Sequence, residues 1–160
     1  MSRLITRGLF VVVLAAGAVV GVPLAAAADP PTTTTQNLHN ATEVFVDVVP
    51  MCAPGGPLYQ ITTTFNAVLH ATQFDDGRVH VTGTQTGNFT AVALQPGEPD
   101  ASGKFTQWFG FNDNGRAVAG TATLSVRGEF ETGEAINVHI TDHFNATPTG
   151  AAFFFTHCHD

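Results

Sequence analysis

The chain ends in "FFFTHCHD", where Cys158 stands between His157 and His159. A cysteine flanked by imidazoles suits three chemistries. A thiolate beside histidine is a nucleophile. Cysteine and histidine together ligate zinc. A cysteine with one partner elsewhere in an exported chain forms a disulfide. The sequence holds two cysteines, Cys52 and Cys158, and seven histidines. On an extended strand, residues four apart are separated by about 13 Å. His139 and His143 therefore cannot share one ion through bonds of about 2.1 Å. His157 and His159, about 7 Å apart, are wide for the task. A histidine patch built from His70, His80, His139 and His143 depends on strand register, which sequence alone leaves open. The expectation is a Cys52–Cys158 disulfide, with no metal site and no cofactor.

Asp142 is the second chemically suggestive residue. It falls in phase with Ile136, Val138, Ile140 and Phe144, so it faces the apolar side of its strand. A buried carboxylate must be paired, hydrogen-bonded or protonated. Gln85 and Gln107 also interrupt apolar faces, and Tyr59 adds a hydroxyl. If these gather inside one barrel, they form a polar cluster in an aromatic cavity, which is how small-molecule sites are built. The expected lining is Tyr59, Phe65, Phe89, Phe109 and Phe144, with Gln85, Gln107 and Asp142 orienting the ligand. A satisfied structural network around Asp142 is the alternative. No nucleophile motif and no acid–base pair is found, so no catalytic residue is assigned.

The elements that must hold these residues are strands. In "LYQITTTFNAVLHATQ" (58–73), Tyr59, Ile61, Phe65, Ala67, Leu69 and Ala71 alternate with polar residues, the mark of a half-buried strand. An Asp76-Gly77 turn leads into a strand over 78–94, with Thr and His on one face and Val79, Val81, Gln85 and Phe89 on the other. Phe105, Gln107, Phe109 and Phe111 share a face in the next. Asn114-Gly115 is the strongest hairpin signal. Strands over 116–130 and 135–147 follow, then a last one ending in "AAFFFTHC", with a first near 42–50. This reads as an all-β, antiparallel up-and-down meander of seven strands without helices. Several strands run to about 12–16 residues against a usual 5–6. Strands so long tend to close into a barrel, which removes the edges. The expectation is a closed barrel of seven or eight strands, with a β-sandwich as the alternative. Cys52 follows the first strand and Cys158 ends the last, so their bond would lock the seam.

The N-terminus indicates the compartment. "MSRLITRGLFVVVLAAGAVVGVPLAAAADPP" has Arg3 and Arg7, then an apolar run, then Ala26-Ala27-Ala28. That is the form of a secretory signal peptide over 1–28. A disordered linker is expected over 29–36, "DPPTTTTQ", and one β-domain over 37–160. The secreted chain carries four basic residues against thirteen acidic ones, a formal charge of −9. Its basic residues (Arg78, Lys104, Arg116 and Arg127) are scattered. Nucleic acid is an improbable partner, because phosphate contacts need clustered cations, and an anionic membrane is improbable for the same reason.

With "QITTTFNAVLHATQFDDGRVHVTGTQTGNFTA" upstream of "NVHITDHFN" and "FFFTHCHD", the chain resembles small, uncharacterised secreted proteins of actinobacteria. In architecture alone the pattern resembles calycin-like and allene-oxide-cyclase/dirigent-like barrels. That resemblance implies a barrel that binds or cyclises small hydrophobic molecules. The functional expectation is a secreted protein holding a small apolar ligand. A cyclase- or isomerase-type enzyme using Asp142, and an envelope-associated structural or interaction protein, are the alternatives.

Overall fold

The computed structural model describes residues 30–49, 55–147 and 152–159. The segment 1–28, expected to be the signal peptide, and Cys52 lie outside them. The turn chemistry sets the order of the fold. Gly77 (φ 82°) and Gly115 (φ 72°) adopt the left-handed backbone that their Asp-Gly and Asn-Gly turns require. At the second turn, Asn114 Oδ1 accepts from the amides of Arg116 and Ala117 at 2.9 and 2.8 Å.

Between the turns run β1 (Thr32–Val48), β2 (Leu58–Gln73), β3 (Val79–Ala93), β4 (Ala101–Asp113), β5 (Val118–Phe130), β6 (Ala135–Ala146) and β7 (Ala152–His159). They form one sheet in the order β1-β2-β3-β4-β5-β6-β7, each strand antiparallel to the next. There is no helix among the described residues. The all-β meander is thus as expected, in one sheet rather than the two of a sandwich. The closed ring of strands is not seen. β1 and β7 are the edges of the sheet and do not pair with each other.

β1 begins at Thr32, inside the stretch expected to be a disordered linker. Thr32–Gln36 pair with Leu69–Gln73 of β2. These residues are exposed, so backbone pairing to the far end of β2 orders them rather than burial. Threonine, being β-branched, suits that role. A bulge between Leu38 and Ala41, with Asn40 at φ 51°, then shifts the register. The Asn40 amide donates to Asn66 Oδ1 at 3.0 Å, which holds the bulge against β2.

Beyond the bulge the facing of β1 departs from simple apolar counting. Val44 and Val46 point outward, 59% and 51% exposed, while Phe45 turns inward opposite Ile61. The partner strand decides this. Residues directly opposite share a face, and the inward set of β2 is Tyr59, Ile61, Thr63, Phe65, Ala67 and Leu69. The core is completed by Phe89, Ala91, Phe105, Leu124, Phe130, Ile136, Val138 and Ile140. Gly87 permits tight coiling. A Cβ there would lie 2.2 Å from the Thr64 carbonyl oxygen and 2.6 Å from Phe65 Cβ.

Candidate functional site

One cleft gathers residues from six strands. From the first half of the sheet come Phe45 and Val49 at the end of β1, Ile61 and Thr63 of β2, and Phe89 of β3. From the second half come Phe105 of β4, Leu124 and Val126 of β5, and Ile136 and Val138 of β6. β1 and β6 are not neighbours in the ladder, yet they line the same space. The sheet is therefore coiled around it. The cleft measures about 40 Å³, roughly a quarter of the ~150 Å³ apolar cavity that admits benzene.

Thr63 supplies the polar atom of this wall. It is 2% exposed, and its Oγ1 has no hydrogen-bond partner. Buried polar groups are nearly always paired, so an orphan such as this calls for an explanation. Directly opposite it on β1 stands Glu43, on the same face. Burial raises the Glu43 carboxyl above its ordinary value.

Most of the residues expected to line a ligand lie elsewhere on the inner face. Phe89 does line the cleft. Tyr59 lies nearer the rim formed by the loops after β3 and β5, where its hydroxyl donates to the Pro99 carbonyl at 3.1 Å and its ring sits 6.4 Å from that of Phe130. Burial, with the Glu98 and Asp100 carboxylates, pushes its phenol up. Phe65 is buried edge-on against Phe105 at 6.2 Å. Gln85 and Gln107 face each other across β3 and β4, and the Gln85 amide donates to the Gln107 carbonyl. Both are buried, which makes them a satisfied pair in the wall.

Asp142 lies in the row of Ala122 and Phe109, one inward step from the Gln107 row. It is half-buried and takes no part in the glutamine bond. Phe109 and Phe144 lie over Gly83 and Gly120, where a Cβ would come within 2.4 and 2.5 Å of their rings. The structure thus joins Gln85 to Gln107 but brings neither to Asp142.

Thr63 and Glu43 are the residues that sequence reading missed. The signal for Thr63 was present: it occupies the apolar phase between Ile61 and Phe65.

The histidines form a different pattern. Each of four hydrogen-bonds through Nδ1 to a residue of the adjacent strand: His70 to Thr35, His80 to Asn112, His139 to Ser125 and His143 to Thr121. Among the described residues no group of three metal-ligating side chains could hold an ion. Cys158 lies opposite Ile140 on β7, and no cysteine among the described residues is free. Comparison with known proteins finds no family model, no curated protein and no solved structure that matches the chain.

Proposed function

We propose that this is an exported protein that holds a small apolar ligand in the cleft of its coiled sheet, with a Cys52–Cys158 disulfide closing the sheet into a barrel. One observation carries the ligand reading: six strands converge on a cleft that is hydrocarbon-walled apart from one hydroxyl. A concave apolar site with few polar groups is the usual form of a small-molecule site. At about 40 Å³ the cleft has no room for a ring. A ligand must be slim, or the sheet must uncoil. A disulfide tying the two edges of the sheet would resist uncoiling, so a slim ligand is favoured.

The register supports closure through the cysteines. The row that contains Cys158, exposed on the edge strand β7, runs back through Ile140, Leu124, Gln107, Gln85 and Ala67 to Leu38 of β1. Strands in a barrel are tilted, so a row returns to its first strand displaced along the chain. Displacement from Leu38 toward the end of β1 at Val48 leads to the segment carrying Cys52. Export rests on the charged, apolar and alanine-rich segments of residues 1–28.

Native mass spectrometry of protein purified from its own host tests the reading. A non-covalent adduct released on denaturation supports it. Ligand-free protein, with no adduct after incubation with apolar compounds, overturns it.

A second reading, an interaction protein, is favoured by the outer face of β1–β3. There Val44, Val46, Leu58, Val92 and Leu94 are each about half-exposed and lie near one end of the sheet. The enzyme reading needs a ligand that reaches Asp142, whose row through Ala122, Phe109 and Gly83 contains no cleft residue, whereas the row of Glu43 contains Thr63 and Phe89.

A further inference from the structure

We infer that the ligand of this cleft is a slender, neutral molecule with a single hydroxyl head, seated between Thr63 Oγ1 and the Glu43 carboxylate; this rests on the apolar-ligand reading above. Thr63 is 98% buried, lines the cleft, and carries the only buried side-chain nitrogen or oxygen without a partner among the described residues. A hydroxyl can donate one hydrogen bond and accept others, whereas a carboxylate only accepts. Thr63 can thus donate to the oxygen of an alcohol, while that alcohol donates to Glu43, its cross-strand neighbour. Both needs are met by one O–H group.

Other head groups fit less well. A purely apolar molecule leaves the Thr63 hydroxyl unpaired at the cost of its desolvation. A carboxylate or phosphate head would stand near Glu43, directly across from Thr63, and Asp47, four residues further along the same face, in a chain of net negative charge. No charged side chain of either sign lines the cleft itself, so an ionic head would lose its water there without a counter-charge. A cleft of about 40 Å³ holds only a few atoms, so it seats the head and first carbons of a narrow chain whose remainder lies outside it.

The test is a set of NMR titrations of the secreted protein with 1-pentanol, 1-chloropentane and pentanoate, repeated on Thr63→Val and Glu43→Gln. Thr63→Val is expected to weaken 1-pentanol about fivefold, the worth of one hydrogen bond, without weakening 1-chloropentane. Glu43→Gln is expected to narrow the preference for 1-pentanol over pentanoate. If none of the three probes binds, the apolar-ligand reading itself fails. If 1-pentanol and 1-chloropentane bind and Thr63→Val changes both equally or neither, the cleft stands but the hydroxyl head is wrong. Tighter binding of pentanoate than of 1-pentanol by the unaltered protein overturns the neutral head.

Discussion

Thr63 on β2 stands directly opposite Glu43 on β1, and the pair sets a buried hydroxyl without a partner beside a half-buried carboxyl. Thr63 is part of the cleft wall, so the pair links the stability of the sheet to what the cleft can bind.

An unpaired buried hydroxyl costs free energy, and valine has nearly the same shape without that cost. Thr63→Val is therefore expected to stabilise the ligand-free protein by about 1 kcal/mol. Urea denaturation with equal m-values for the two proteins is the measurement. A loss of stability of similar size would show that Oγ1 has a partner in solution.

The Gln85–Gln107 bond predicts non-additivity. Gln85→Leu leaves the Gln107 carbonyl buried without its donor, at a cost of about 1–3 kcal/mol. Replacing both by leucine removes the orphan, so the double variant should lose less than the two single losses summed. A double-mutant cycle by chemical denaturation decides this, and strict additivity would mean that the two amides do not interact.

Glu43 predicts a pH dependence. Burial raises its carboxyl in the folded chain, so the folded state holds the proton more tightly than the unfolded state. Below the ordinary carboxylate range both states are protonated and the group is neutral in its effect. As pH rises through that range to the raised folded value, the unfolded chain ionises first and stability falls; above it the penalty is complete. Glu43→Gln should therefore stabilise the protein at neutral pH and lose that advantage below about pH 4. Melting temperatures of both proteins across this range test the sign, and an advantage confined to acid pH would contradict it.

Gly87 tests the coil. A Cβ 2.2 Å from the Thr64 carbonyl oxygen meets backbone, which has no rotamer to yield. Gly87→Ala should cost about 3 kcal/mol, at the upper end for overpacked sites. A neutral result by thermal denaturation would mean that β2 and β3 lie far enough apart to admit the methyl group.

Much of this fold is legible from residue order. Period-two alternation in β2, β4 and β6 assigns Ile61, Phe105 and Val138 to the inside, and Asp-Gly and Asn-Gly fix two hairpins. The misses share one physical cause, which is that pairing between strands is decided by the partner. Thr32–Gln36 bury nothing and are ordered by β2. Val44 and Val46 exceed Glu43 and Asp47 in hydrophobicity, yet Phe45 opposite Ile61 sets the face. Register also separates Asp142 from the glutamine pair, and no single strand encodes register. The cleft was invisible because its members come from six strands.

If the cleft is a ligand site, filling it must expel the ligand. Val138 lies on the cleft wall, 5% exposed, and Val138→Phe would occupy the space from within. The measurement is the native mass spectrum of unaltered protein and of folded Val138→Phe, both purified from the same host. A small-molecule adduct is expected on the unaltered protein and none on Val138→Phe. Equal adducts on both, or none on either, would contradict a ligand site in the cleft.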